Sequence, residues 1–286
     1  MLLGKMVTEG CQYALYCISI GINVTDIHPI DNYRGNGVSC SVLFLSRTCI
    51  LAQSKNLQIV SQLKNWTVIL VDKLVEFSNP RKACKVPKLS PKAFLAGSVT
   101  HAVYIDSNLI LKQNSIQIIE THMRSSSENI IIVGIKHPHS STITDEMVAI
   151  WEAMKHRPLI TYNFSTVYQQ TMYYHKMAST LGHDNGYYLI DSAILIYNLQ
   201  LDAARSFRCL WQEEINAWSD RDQIAFPYVL AELSKGLNKS RSAESLLISV
   251  YINNSYSHQV KILTDSKYYW DDNGLLATHY RNPWNC

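Results

Sequence analysis

The feature that most limits the fold of this 286-residue chain is a series of short, almost uninterrupted apolar runs set between polar segments. Ala14 to Ile22, Val42 to Leu45, Trp66 to Val71, Val99 to Asp106 and Ile130 to Ile135 are each nearly continuously apolar. They lack the alternation of a half-exposed strand and read as strands covered on both faces. Turn-rich stretches such as Asp31 to Gly37, and helical ones such as Leu51 to Lys64, lie between them. Strands alternating with helices predict an α/β fold, a mostly parallel sheet flanked by helices. In such sheets ligands bind at the carboxyl ends of the strands, so the residues just past those ends are the first to inspect.

The second half is more helical. Ile143 to His156 places Ile143, Met147, Ile150, Trp151 and Met154 on one apolar stripe, with Pro158 past its end. Phe164 to Leu181 is a second helix, with Gly182 suited to a left-handed terminal position. Tyr188 to Tyr197 returns to a strand, and helices follow over Asp202 to Ala217 and Arg221 to Lys235, the latter before Gly236. The chain closes on His279-Tyr-Arg-Asn-Pro-Trp284. With no internal repeat and no low-complexity linker, one domain over 1–286 is expected.

Composition narrows the function classes. Apolar residues at 47% against charged residues at 17% exclude wholesale disorder. Lys+Arg at 26 against Asp+Glu at 23 leaves a net charge of +3, too small an excess to argue for a nucleic-acid partner. No apolar run reaches the roughly 18 residues of a membrane span. Lys5 and Glu9 interrupt the amino terminus where a signal peptide would lie, so a soluble cytoplasmic chain is expected. Seven scattered cysteines, without a Cys-x-x-Cys pair or zinc spacing, predict reduced thiols. Sequons at Asn23, Asn65, Asn163, Asn238 and Asn253 have no meaning in a cytosolic chain.

Four stretches carry candidate chemistry. In Val103-Tyr-Ile-Asp106-Ser107-Asn108 an apolar strand delivers an acid at its end and a second oxygen donor two positions on. Asp106 and Asn108 can share one hard cation, or Asp-Ser-Asn can simply open a turn. In Trp218-Ser219-Asp220-Arg221-Asp222-Gln223, Asp222 can join Ser219 in a variant capping box, and it can also orient a sugar hydroxyl or act as the base that takes its proton, since a helix start at a cleft can cap and catalyse. His279, with Arg281 near it, is either a solvated terminal residue or a metal ligand beside a phosphate fork. Asp191 lies in an otherwise apolar strand, so it must sit at a cleft edge or hold a strong partner. Arg81 and Lys82, after Asn79-Pro80, form a basic pair that fits either an anionic ligand or a solvated loop.

Taken in order, these pieces resemble a GT-A nucleotide-sugar glycosyltransferase. Tyr104-Ile-Asp106-Ser-Asn108 resembles the Asp-x-Asp element of that fold, with Asn108 in place of the second Asp. Asp191-Ser-Ala193-Ile-Leu-Ile-Tyr-Asn198, Asp222-Gln223 and His279…Pro283-Trp284 are similar to elements of family 8 transferases, although Ala193 replaces a Gly and Asn282 a Lys. A closer likeness is to the hexosyltransferase-like family, formerly a domain of unknown function, with plant cell-wall and mucilage members. It rests on Arg81, Lys82 and Lys85, on Tyr104-Ile-Asp106, on His137-Pro138, and on Trp211…Glu214…Ser219-Asp-Arg221-Asp222-Gln223-Ile-Ala-Phe226.

The resemblance implies a Rossmann-like GT-A fold, with a nucleotide-binding half at about 13–135 and an acceptor-side half with the tail at 136–286, and transfer of a sugar from a nucleotide-diphosphate donor to a glycan or other hydroxyl acceptor. It places the base near Gly21 and Asn23, and the diphosphate by Asp106, Ser107, Lys82 and Arg281. It gives Mn2+ or Mg2+ to Asp106, Asn108 and His279, and sets Asp191 and Asp222 toward sugar and acceptor as catalytic residues. Plant relatives carry a membrane anchor, whereas this chain begins almost at its first strand, which implies a soluble transferase. Asn108 leaves a second reading open, a catalytically inactive sugar-nucleotide or glycan-binding module of the same fold.

Overall fold

The computed structural model describes residues 8–19, 39–45, 66–71, 80–107, 109–111, 115–124, 130–137, 140–156, 163–180, 189–239, 260–263 and 277–279. Its main sheet contains β1 (Tyr13–Ser19), β2 (Ser39–Leu45), β3 (Thr67–Leu70), β4 (His101–Asp106), β6 (Ile132–Lys136), β7 (Ile190–Asn198) and β8 (Val260–Leu263). The strand order is β3-β2-β1-β4-β7-β6-β8. β1 pairs in parallel with β2 and β4, β2 with β3, and β6 with β8. β7 is antiparallel to both its neighbours, β4 and β6. The mixed, mostly parallel sheet flanked by helices is the architecture expected from the apolar runs. Its direction rule gathers the carboxyl ends of β1, β4 and β6 and the amino end of β7 at one edge.

The continuous apolar runs are explained by helices on both faces. Ala14, Tyr16, Ile18, Val42, Phe44, Ala102 and Tyr104 share one core with Ala83, Phe207, Trp211, Ile215 and Phe226. The helices contributing to it are α1 (Pro80–Leu89), α6 (Asp202–Ala217) and α7 (Asp222–Lys239). The alternate residues Tyr13, Leu15, Cys17, Val103 and Ile105 face Ile118 and Ile119 of α3 (Ser115–Ile119) on the other side. The period of two thereby settles where Asp106 lies: it follows Tyr104 on the face covered by α1, α6 and α7. A short α2 (Pro91–Phe94) follows α1. The pair α4 (Ile143–His156) and α5 (Phe164–Thr180) packs through Ile150, Val167 and Tyr174 against Ile224 of α7.

Helices α4 and α6 have the expected limits. Three features differ from expectation. The segment around Arg81 and Lys82 is helical, opening with Pro80, a residue whose fixed φ and missing N–H suit a first helical turn. Helix α7 runs through Gly236 to Lys239 instead of stopping before it, because an interior glycine weakens a helix by only about 1 kcal/mol. Cys11 and Cys40 are joined in a disulfide with their Cα atoms 6.0 Å apart, which corrects the expectation of reduced thiols at that pair. Cys11 lies two residues before β1 and Cys40 lies in β2, its parallel neighbour: Ala14, three residues after Cys11, is in register with Cys40. Such bonds persist in oxidising compartments, which weighs against the expected cytoplasmic location. Among the described residues no helix is long and apolar enough to cross a membrane. The helix expected over Leu51 to Lys64 lies outside the described residues.

Strands β5 (Leu109–Leu111) and β9 (Ala277–His279) form an antiparallel pair apart from the main sheet, with Leu109 in register with His279. The backbone of the carboxyl-terminal segment therefore runs beside the residues that leave the Asp106 edge.

Candidate active site

Helix α1 supplies the positive charge. Arg81, Lys85 and Lys88 fall at i, i+4 and i+7, one side of a helix, while Ala83 and Cys84 are buried in the core. Lys85 Nζ lies 3.1 Å from Asp222 Oδ1, and Lys88 Nζ lies 2.8 Å from Asp222 Oδ2. Lys88 also donates to Ser192 Oγ at 3.0 Å, and its ammonium lies 4.7 Å from the centroid of the Tyr104 ring. The Tyr16 hydroxyl donates to the Lys88 carbonyl at 2.8 Å, and the Trp211 indole N–H donates to the Asp222 carbonyl at 2.9 Å. Two buried side chains thus fix the backbone at each end of the ion pair.

The charges decide the protonation states. Burial pushes the Asp222 carboxyl up, but Lys85 and Lys88 outweigh it and hold the group well below the usual carboxylate range. For Asp106 burial wins. Its carboxyl is raised although Lys88, Lys85 and a 2.5 Å hydrogen bond from the Tyr104 hydroxyl oppose the rise, and the nearby Asp191 charge adds to it. Asp191 opens β7 as a partly exposed carboxylate, with Oδ1 accepting the Ala193 N–H at 3.0 Å. Asp106, Asp191 and Asp222 therefore meet at one sheet edge with two lysines among them. The Asp191 charge reaches Asp106, and carboxylate oxygens are the donor type that Mg2+ and Mn2+ take. Among the described residues there is no group of three or more His, Cys, Asp or Glu placed to hold a metal.

The turn between α6 and α7 is stitched down from two sides. Arg81 Nε donates to Asp220 Oδ2 at 2.8 Å, and Lys82 Nζ donates to the carbonyls of Asn216 at 3.0 Å and Trp218 at 2.7 Å. From α4, the buried Glu146 pairs with Arg221, accepts the Ser140 hydroxyl at 3.0 Å, and lies 3.6 Å from His137 Nε2. The capping box expected from Ser219 and Asp222 does not form. Ser219 Oγ accepts the Arg221 N–H at 3.3 Å and donates to Gln170 Oε1, while the Asp222 carboxylate is taken by the two lysines.

Of the residues singled out from sequence, Asp106, Asp191 and Asp222 are brought together. Ser107 is buried in the turn after β4, and Lys82 is committed to carbonyls of the stitched turn. His279 is described through its backbone alone, and Gly21, Asn23, Asn108 and Arg281 lie outside the described residues. Lys88, Tyr104 and Ser192 were not singled out. Lys88 had no local signal, because its helix carries Pro80, Pro87 and four cations and reads from sequence as a loop.

Solved structures similar to the chain include the apo bifunctional glycosyltransferase WbbM, at 12% identity and a TM-score of 0.46, covering 89% of this chain and 39% of that one. This chain spans well under half the length of that protein. The galactosyltransferase LgtC in complex with donor and acceptor sugar analogs is similar at 11% identity and a TM-score of 0.46, over 94% of this chain and 87% of that one. Mouse xyloside xylosyltransferase 1 is similar at 10% identity and a TM-score of 0.38, over 77% of this chain and 75% of that one. Comparison with curated proteins gives no match. The family model of the TOD1/MUCI70 glycosyltransferase-like domain matches residues 33–259, a span that holds β2 to β7 with Asp106, Asp191, Asp222 and both site lysines. The chain belongs to the TOD1/MUCI70 glycosyltransferase-like domain family.

Proposed function

We propose that this glycosyltransferase-like chain, working as one domain, transfers a sugar from a nucleotide-diphosphate donor to a hydroxyl acceptor. The observation that carries the reading is the sheet edge at which Asp106, Asp191 and Asp222 surround the Lys85–Lys88 pair. Asp106, with Asn108 and His279 from the adjoining segments, would hold Mn2+ or Mg2+. When bound, such a cation supplies the charge that lets a diphosphate depart. Lys85 and Lys88, on the same edge, add positive potential in a water-poor site, where it acts most strongly on developing negative charge.

The two remaining acids divide their work according to their surroundings. A carboxylate held far below its ordinary pKa is a weak proton acceptor at neutral pH. Asp222 is therefore a positioning group, which holds the two ammoniums and with them the donor's charged end. Asp191 is partly open and carries no lysine on its carboxylate in the hydrogen bonds described, so it is the acid that faces the sugar and acceptor. The test is release of free nucleoside diphosphate from a panel of nucleotide sugars with Mn2+. Release from at least one donor, lost in Asp106→Asn, supports transfer. Nucleotide binding with no release from any donor would favour the inactive module, the reading that Asn108 favours.

A further inference from the structure

We infer that Tyr173, Trp218 and Tyr228 form a stacking platform for the acceptor, and that the acceptor is a neutral carbohydrate chain. The inference rests on the transferase reading and names the substrate class at the same site. Three separate elements converge to build the platform: Tyr173 from α5, Trp218 from the end of α6, and Tyr228 from α7. The Tyr173 ring lies 5.4 Å from that of Trp218 at an interplanar angle of 31°, and 6.0 Å from that of Tyr228. Tyr173 is 39% exposed, and Trp218 and Tyr228 are half-buried.

The platform is rigid from behind. The buried Tyr174 ring stacks on Tyr228 at 4.4 Å and 11°, and the Tyr174 hydroxyl donates to Glu214 at 2.6 Å and accepts from Gln170 Nε2 at 2.9 Å. Rings held in this way lose little conformational freedom when a ligand lands on them. Tyr173 is itself held by the Tyr228 side chain through a hydrogen bond, so its part-exposed ring is fixed in place.

Continuity with the site directs the platform toward the acceptor. The Trp218 carbonyl is held by Lys82, and Lys85, one turn along the same helix, holds Asp222. Trp218 thus lies in the fixed turn that leads, four residues on, into Asp222, and a ligand on Trp218 and Tyr173 lies at that turn. A sugar ring presents an apolar C–H face bounded by hydroxyls, which matches an aromatic face carrying a phenol. Glu213, exposed, and Glu214 and Glu232, half-buried, lie on α6 and α7 and outnumber the nearby cations Lys82 and Lys176, a small negative excess that disfavours a polyuronate.

The test is affinity electrophoresis of the full chain in native gels cast with xylan, β-1,4-galactan or polygalacturonate. A thermal-shift titration with uridine and guanosine diphosphates plus Mn2+ runs in parallel. Retardation by at least one neutral glycan is expected, weakened at least fivefold by Tyr173→Ala and retained in Tyr173→Phe. Tyr168→Ala, which removes an exposed ring elsewhere on α5, should leave it unchanged. No retardation by either neutral glycan, retardation by polygalacturonate alone, or equal retardation of wild type and Tyr173→Ala overturns the platform, whatever the nucleotides do. Glycan retardation with the expected variant pattern but no nucleotide response keeps the platform and removes the transferase reading beneath it.

Discussion

Replacing Lys88 by Met isolates the electrostatic centre of the site. Lys88 and Asp222 are each only 2% exposed at the side chain and stand 2.8 Å apart, so neither charge can turn to water when its partner is lost. Breaking a buried pair by removing one partner costs about 3–5 kcal/mol. Lys85 remains 3.1 Å from the other carboxylate oxygen, which places Lys88→Met at the lower end, about 3 kcal/mol. Asp222→Asn, which leaves two ammoniums facing an amide, should cost a similar amount. The double variant should cost less than the sum of the two by about 2 kcal/mol, because the second change removes a charge the first left stranded. Urea denaturation of the four proteins at pH 7 reads these terms. The pH dependence has a fixed sign. A carboxyl held below its unfolded value stabilises the fold fully above about pH 4 and loses that contribution as pH falls toward the folded pKa. Asp222→Asn should therefore flatten the acid limb of the stability profile. Strict additivity of the single variants, with an unchanged acid limb, would refute the coupling.

Asp106→Asn should move stability and function in opposite directions: a carboxyl raised by burial destabilises the ionised fold at pH 7, so the amide variant should melt higher while nucleotide release is lost. Calorimetry paired with the release assay checks both. Gly134→Ala sets a Cβ 3.2 Å from the side chain of the fully buried Ile190 and should lower stability by about 1–3 kcal/mol, read from the denaturation midpoint. Glu146→Ala removes the partner of Arg221 and Ser140 and should reduce stability by about 3 kcal/mol, whereas Glu152→Ala on the exposed side of α4 should change it by less than about 1 kcal/mol. Cys11 and Cys40 should alkylate only after reduction. Reduction of that bond, which spans a separation of 29 residues, should cost about 3–4 kcal/mol.

The architecture was legible because burial on both sheet faces leaves a strong mark: runs such as Ile132–Ile135 and Ala193–Tyr197 admit few other readings. Helix α4 was equally plain from its single stripe. Helix α1 was hidden, since Pro80, Pro87 and four cations in ten residues read locally as a loop, and only packing of Ala83 and Cys84 on the sheet makes it helical. The acids of the site could be named one at a time from their places at strand and helix ends. Their mutual charge state could not, because it depends on Lys88, whose burial is a long-range fact. The capping reading of Asp222 failed for the same reason: a lysine pair more than a hundred residues away competes for the carboxylate and outweighs the local bond.

Crystals soaked with Mn2+ and a nucleoside diphosphate test the central claim most directly, through the anomalous signal of the metal. Manganese bound to the Asp106 carboxylate, with the diphosphate on the Lys85–Lys88 side of the same sheet edge, is the predicted result. A nucleotide seated elsewhere on the molecule, with Asp106 and Lys88 untouched, would contradict it.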